Sequence, residues 1–386
     1  MKKNYYSLNY VLAVCTLLTM LILVLVGGMV TGTDAGMSVP DWPTTFGENM
    51  FLYPIDRMVS GLLVSIPNHL ANDLDRGIMT EAVQNSVSVD ENHLSEMAKI
   101  RVVKPGEIWK ITDSQTHRSY TILSQDGQLG VYVHGVLLEH SHRLLGSLVG
   151  LLAIATLVSV WLSNQQGLLR WLSVLSLITV VIQGILGGLR VTENSIALAI
   201  VHASFAPISL AFFTILAMLT SRKSYQQPNQ MLAPESNKIS RLSIFTSILI
   251  YVQLVLGAVV RHTTQYLVVH VLIAILVAMH IVLLVRRVFS DYSNFANFIN
   301  LSMIMGTIIV LQMTLGIGSW YSEFQLGERL SIPLRTAITS GHQFLGVFLF
   351  MNSLIFSFEV IRYTAAGKVD GSKLKMPNSA RVQSTT

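Results

Sequence analysis

Charged residues and cysteines are both scarce in this sequence of 386 residues. Asp, Glu, Lys and Arg make up 12% of the chain, whereas about a quarter of an ordinary soluble domain is charged. This deficit excludes a soluble globular fold of this length. The one cysteine, Cys15, excludes an intramolecular disulfide and a metal site built from cysteines. The net charge of +5 lies mostly in connections and in the C-terminal segment, so it does not indicate a nucleic-acid partner.

Hydrophobic residues make up 51% of the chain and are concentrated in eight long runs. Each run is roughly 20 residues long, which is the length that an α-helix needs to cross a bilayer. We place the eight spans at 8–30, 136–162, 171–189, 197–220, 243–260, 266–286, 299–318 and 336–360. The first run is too long for the apolar core of a signal peptide, so we expect a retained helix. The sequence therefore predicts an all-α membrane protein with eight transmembrane helices.

Basic residues indicate the topology of these spans. Lys and Arg are found in the connections between spans two and three, four and five, and six and seven, and in both terminal segments. The positive-inside rule therefore places both termini in the cytoplasm. The lack of an Arg- and Ser-rich amphipathic leader favours a bacterial plasma membrane over import into an organelle. The long connection 31–133 then faces outward as an extracytoplasmic insert, in which 107–111, 120–123 and 131–133 are typical of short strands.

A unit of two helices recurs four times along the chain. Its outgoing helix ends in a glycine-rich stretch, and its returning helix carries a histidine near the start. The four histidines are His142, His202, His270 and His342. Internal repeats of this kind are typical of membrane folds built by duplication. We expect two pseudo-symmetric four-helix bundles, with an N-terminal half 1–220 that includes the insert, a linker 221–241, a C-terminal half 242–362 and a cytoplasmic tail 363–386.

The four repeat histidines lie at similar depth near the outward face, because every returning helix runs inward. Two histidines from facing helices can hold one haem iron axially, with the helices as a rigid frame. Zinc would need a third or fourth protein ligand, and no such cluster repeats here. A structural hydrogen bond would explain a single membrane histidine, but recurrence in four repeats favours ligation. We therefore expect one haem pocket in each half. The other seven histidines are assigned no ligand role, and His262 is placed in a loop.

The two pockets differ in their charged neighbours. Only the first repeat has an acid three residues before its histidine, Glu139 before His142, and these two residues share a helical face. A carboxylate beside a haem could relay protons or stabilise charge. The alternative is an acid near a helix N-terminus, where the dipole favours it. Four arginines lie near the outward ends of the spans: Arg143, Arg190, Arg261 and Arg335. They could pair with haem propionates or extend to lipid phosphates.

Several of these residues resemble the haem A synthase family. The resemblance rests on Glu139-x-x-His142-Arg143-x-x-Gly146, on Pro-Asp-Trp-Pro at 40–43, and on the Gln-x-x-x-Gly helices paired with single histidines. It covers all eight helices and implies an enzyme that oxidises the methyl group of haem O to the formyl group of haem A, for terminal oxidases. By this resemblance, His142 and His202 bind the substrate haem with Glu139 as catalytic acid. His270 and His342 would bind a permanent haem b that passes electrons.

The resemblance also implies partners: haem O, a haem O synthase that supplies it, an electron donor and the lipid bilayer, with a homo-oligomer left open. Many bacterial members carry a cysteine pair in outer loops, which this chain lacks, and its first insert is longer than in compact members. Two other functions would use the same histidines. One is a non-enzymatic dihaem b cytochrome for electron transfer, which has no use for a single acidic pocket. The other is a carrier that hands haem to another protein.

Overall fold

Eight long helices account for most of the described chain. The structure is a computed structural model and describes residues 2–33, 35–39, 41–45, 47–55, 63–67, 108–112, 119–125, 128–133, 135–163, 167–221 and 237–373. The helices are α1 (Lys2–Gly32), α2 (Val136–Leu162), α3 (Gly167–Thr192), α4 (Ile196–Thr220), α5 (Asn237–Thr263), α6 (Leu267–Asp291), α7 (Ala296–Trp320) and α8 (Ile332–Lys373). Within these residues, all eight are long and apolar enough to cross a membrane, so the predicted all-α membrane fold with eight spans is confirmed.

The helices pack in two sets of four. In the N-terminal set, α2 and α4 each contact both α1 and α3. In the C-terminal set, α6 and α8 each contact both α5 and α7. The sets meet where α1 and α4 contact α8, and where α4 contacts α5. We use the term insert end for the end of the bundle at which α1, α3, α5 and α7 finish and the other four helices begin.

Two apolar clusters follow the same division. One contains Leu210, Phe213 and Leu216 of α4, and the other contains Phe298 of α7 and Phe356 of α8, all fully buried. Helix α8 contributes to both clusters. In its most apolar window 61% of the residues are buried, against 17% in α6. Helix α8 is therefore central, whereas the apolar outer faces of the other helices suit contact with lipid.

Buried polar side chains join α1 to α2. Asn9 accepts a hydrogen bond from Ser159 at 2.5 Å and donates one to Ser163 at 2.9 Å. Two turns further along α1, the hydroxyl oxygens of Thr16 and Thr156 lie 3.3 Å apart. Hydrogen bonds between membrane helices contribute about 0.6 kcal/mol each on average. They help to fix α1 against α2, the two helices that carry the glycine and the histidine of the first repeat.

The insert between α1 and α2 contains four strands within its described residues. These are β1 (Leu63–Pro67), β2 (Ile108–Thr112), β3 (Ser119–Gln125) and β4 (Gln128–Val133). They form an antiparallel sheet in the order β1-β4-β3-β2. The segments 107–111, 120–123 and 131–133, predicted as strands, overlap β2, β3 and β4. The insert histidines lie outside the described residues: His69, His93, His117 and His134.

Candidate functional site

Each of the four repeat histidines packs its ring against a glycine of the preceding helix. A methyl group at these glycines would approach an imidazole atom to 3.3 Å at Gly257 and to 3.0 Å at the other three. The pairs are Gly27 with His142, Gly187 with His202, Gly257 with His270, and Gly316 with His342. The rings need this space because a Cβ would meet them at less than an ordinary contact distance. The four histidines therefore occupy equivalent places in four helix pairs.

His270 of α6 and His342 of α8 face each other in the C-terminal set. Their ring centroids lie 6.3 Å apart and the ring planes make an angle of 76°. An iron between two imidazoles would separate the centroids by about 6.4 Å, given iron–nitrogen bonds of about 2 Å and about 1.2 Å from nitrogen to ring centre. The separation of His270 and His342 is close to this value, so the two residues would suit holding one haem iron. No three His, Cys, Asp or Glu side chains form a metal cluster in the described part of the chain.

A glutamine side chain and a backbone carbonyl orient these two rings. The Gln253 amide donates to the backbone oxygen of His270 at 3.0 Å, and its nitrogen lies 3.1 and 3.2 Å from the two ring nitrogens. The Nδ1 atom of His342 donates to the backbone oxygen of Gln312 at 3.2 Å. This bond leaves Nε2 of His342 as the ring nitrogen that could bind a metal. Groups that fix the tautomer and the angle of a histidine ring are a regular part of metal sites.

The histidines of the N-terminal set repeat part of this arrangement. The Gln183 amide donates to the backbone oxygen of His202 at 3.0 Å and lies 3.3 Å from its Nε2. The equivalent glutamine of the C-terminal set makes the same backbone contact. His142 lies within electrostatic reach of His202. Helix α1 has Leu23 at the glutamine position of the repeat, so the two sets offer the same ligands with different supports.

Glu139, the predicted catalytic acid, lies one turn before His142 and is 4% exposed. Both of its carboxylate oxygens are bound. Oε1 accepts a hydrogen bond from the Arg143 guanidinium at 2.9 Å. Oε2 accepts one from the backbone N–H of Val39, also at 2.9 Å. The arginine balances the charge of the carboxylate and offsets the cost of burying it. The acid therefore lies on the same helix as His142 and is held by groups of the chain itself.

Arg143 fastens the segment that follows α1. Besides its ion pair with Glu139, it donates to the backbone oxygens of Val39 at 2.7 Å, of Thr44 at 3.0 Å and of Asp41. These acceptors occupy both terminal nitrogens of the guanidinium. The sequence predicted Arg143 as a propionate partner. In the structure its guanidinium binds the segment after α1 and Glu139 instead.

His140 and Trp42 add two further anchors for the same segment. His140 is fully buried, with its Nδ1 3.1 Å from the hydroxyl of Thr45 and its ring 5.6 Å from that of Tyr53. The indole of Trp42 lies directly on Gly188 of α3, where a Cβ would collide with three of its atoms. The described residues between 35 and 55, which we call the mouth loop, thus lie on α2 and α3 at the insert end.

Arg190 is placed differently from Arg143. Its guanidinium packs against Gly36 of the mouth loop. It lies within electrostatic reach of Glu139, His142 and His202, but it donates no hydrogen bond to the residues that the structure describes. A guanidinium in this position is available to bind a carboxylate in a bidentate manner. Arg190 therefore remains a candidate partner for a haem propionate.

Arg261 and Arg335 share one carboxylate at the insert end of the C-terminal set. Oε1 of Glu323 accepts a hydrogen bond from Nη1 of Arg261 at 2.9 Å, and Oε2 lies 3.8 Å from Nε of Arg335. Glu323 belongs to a short π-helical turn, Tyr321–Leu326, that continues α7. The three side chains are between one fifth and one third exposed. The two predicted propionate partners of the C-terminal half are therefore close together.

The Gln-x-x-x-Gly pattern contains Gln183 and Gln253, but it did not predict that their amides orient the repeat histidines. Glu323 was not predicted as a site residue. The signal for Glu323 was an isolated acid directly after an apolar span. The placement of His262 in a loop is wrong: helix α5 continues to Thr263, so His262 lies in its last turn.

Comparison with known proteins identifies relatives for part of the chain. Residues 107–271 match the family described as cytochrome oxidase assembly protein. A protein of Shouchella clausii (strain KSM-K16) named "Heme A synthase" is 32% identical over 133 residues, which are 34% of this chain and 44% of that protein. The chain thus covers less than half of the length of this curated relative. Over these residues, the family match and the relative support the resemblance to the haem A synthase family that the sequence motifs predicted.

Proposed function

We propose that this chain acts as a haem A synthase, which oxidises the methyl group of haem O to the formyl group of haem A for terminal oxidases. The observation that carries the proposal is the facing pair His270 and His342, whose centroid separation is close to that expected for one iron between them. The equivalent contacts of His142 and His202 support a second haem site. The choice of reaction is supported by the family match, which contains Glu139 and three of the four histidines.

Each half has its own haem in this proposal. The C-terminal half, 242–362, binds haem b through His270 and His342. The N-terminal half, 1–220, binds the substrate haem through His142 and His202, with residues 221–241 as linker and 363–386 as tail. A bound haem b supplies one-electron transfer. Helix α8 contacts helices of both sets and so keeps the two sites in one frame.

Side chains of the N-terminal half position the substrate and hold a proton. The guanidinium of Arg190 is available for a propionate of the substrate haem and would fix the orientation of the ring. Glu139 is the proposed catalytic acid. Its Oε2 can take up or release a proton once the N–H of Val39 withdraws, while Arg143 keeps Oε1 in place. The mouth loop limits the access of water to this site.

The proposal places the protein in a bacterial plasma membrane. The basic connections put both termini in the cytoplasm and the insert outside. Haem O then arrives through the bilayer or from the haem O synthase that makes it. A separate electron donor reduces haem b, and a homo-oligomer is compatible with this arrangement.

Haem extraction tests the proposal directly. The full chain is expressed in cells that make haem O but not haem A, and the extracted haems are separated by chromatography. We expect haem A or its alcohol intermediate from the wild type. Glu139→Gln should remove the product and retain both haems, because the amide keeps the volume but cannot transfer the proton. Glu193→Gln, which changes an exposed acid at the end of α3, should keep the wild-type yield. Haem b alone from the wild type would overturn the proposal.

A dihaem b cytochrome is the second candidate function. It is favoured by the finding that both oxygens of Glu139 bind the chain itself, as those of a structural carboxylate would. It predicts two haem b groups and no haem O or haem A in the same extraction. It also predicts that Glu139→Gln lowers the stability of the protein without changing the composition of the extracted haem.

A further inference from the structure

Three separate elements bring charged side chains together between the His270–His342 pair and the insert end of the bundle. Arg261 lies four residues, or about 6 Å, beyond the glycine of α5 that contacts His270. Glu323 lies about 10 Å beyond the corresponding glycine of α7, and Arg335 lies about 10 Å before His342 on α8. All three side chains are therefore one to two helical turns from the histidine pair, on its insert side. We call them the charged triad.

The contacts within the triad are unequal. Glu323 is hydrogen-bonded to Arg261 at 2.9 Å, but it lies 3.8 Å from Nε of Arg335, which is longer than a hydrogen bond. Nε of Arg335 is buried and has no hydrogen-bond partner among the described residues. One carboxylate thus stands between two guanidinium groups, one of which has an unused donor. The triad carries a net charge of +1 when all three groups are ionised.

The backbone at Glu323 is also unusual. Helix α7 changes from α to π geometry at Tyr321–Leu326. A π turn is rare and is found frequently at functional sites. The turn carries Glu323 towards Arg261 on α5 and Arg335 on α8, so the carboxylate connects three helices of the set.

We propose that Glu323 is a positioning residue that holds Arg261 and Arg335 at the edge of the haem b site and sets the reduction potential of that haem. This inference rests on the proposed function, because it requires a haem between His270 and His342. The negative charge of Glu323 favours the oxidised, more positive state of the iron. Its removal leaves two uncompensated guanidinium groups, which favour the reduced state.

Potentiometric titration of the purified protein in detergent, followed through the haem b absorption band, tests this assignment. In Glu323→Gln, the ratio of reduced to oxidised haem b at the wild-type midpoint should rise about tenfold, as expected for one charge at about 10 Å and an effective dielectric constant of about 20. A tenfold change is about 59 mV for a one-electron couple. The matched control is Glu193→Gln, which removes the same charge from the insert end of α3 and should leave the midpoint unchanged.

Arg335→Gln is the second variant and should shift the midpoint in the opposite direction. If Glu323→Gln does not accumulate with bound haem, the midpoint of Arg335→Gln tests the assignment by itself. An unchanged midpoint in both variants, or shifts of the same sign, would overturn the assignment. Extraction of haem b alone from the wild type would instead overturn the proposed function, so the two failures are distinguishable.

Discussion

The rings of His270 and His342 meet between α6 and α8 with their centroids 6.3 Å apart, although neither ring donates a hydrogen bond to the other. Two imidazoles at this separation lack a shared proton or carboxylate that would hold them together. An iron between them would supply that link. The relationship between these two residues is the basis for the first prediction.

Replacing either histidine should remove haem b. His270→Ala or His342→Ala deletes one proposed haem ligand, and the low-spin haem b spectrum of the purified protein should be lost in both variants. His280→Ala is the control on the same helix, because Nδ1 of His280 is bonded to the backbone oxygen of Leu276 at 2.8 Å. A spectrum that survived His270→Ala and vanished in His142→Ala would reverse the assignment of the two halves.

Enlarging a repeat glycine should displace the ring beside it. A Cβ at Gly316 would lie 3.0 Å from Cε1 of His342, so the branched side chain in Gly316→Val must push the imidazole away. We expect a large fraction of the haem b to become high-spin or to be lost, as measured by absorption spectroscopy. Gly150→Val makes the same chemical change where a Cβ meets no atom within 4 Å, and it should keep the low-spin spectrum. Equal spectra in the two variants would contradict this account of the glycines.

The eight spans and the four histidines could be predicted because both are local signals that repeat along the chain. Apolar runs predict helices directly, and Gly257 with His270 belongs to the same kind of helix pair as Gly316 with His342. The mouth loop could not be predicted, because Val39 and Glu139 are 100 residues apart in sequence. A contact between residues on either side of a long insert produces no periodic pattern in the sequence. Glu323 was missed for a related reason: its partners come from two other helices, α5 and α8.

Removing the guanidinium of Arg143 should destabilise the insert end of the N-terminal set. Arg143→Gln leaves the buried carboxylate of Glu139 without its cation and frees three backbone oxygens of the mouth loop. The loss of one partner of a buried ion pair costs about 3–5 kcal/mol. We expect a lower unfolding temperature and faster proteolysis between residues 41 and 55.

The matched control for this loss is Arg287→Gln. Nε of Arg287 lies 3.5 Å from Oδ2 of Asp291, and the two side chains are 35% and 48% exposed. An exposed pair contributes about 0–1 kcal/mol, so this variant should unfold close to the wild-type temperature. If Arg143→Gln resisted proteolysis to the same extent as Arg287→Gln, the anchoring role of Arg143 would be wrong.

Each repeat glutamine should act on the haem of its own half. Gln253→Leu removes the amide that contacts the backbone oxygen and both ring nitrogens of His270, and Gln183→Leu removes the equivalent amide at His202. Leucine is a suitable replacement, because Leu23 already occupies this place in the first repeat. Loss of such an orienting group weakens metal sites about 10–100-fold.

Haem release to an added acceptor protein measures this effect separately for each half. Gln253→Leu should release haem b faster and keep the wild-type rate for the substrate haem, whereas Gln183→Leu should do the reverse. The separation is expected because each glutamine contacts a histidine on the next helix of its own set, and no described hydrogen bond joins either glutamine to the other set. If both variants released both haems at similar rates, the glutamines would act through the stability of the whole bundle, and the local orienting role would have to be abandoned.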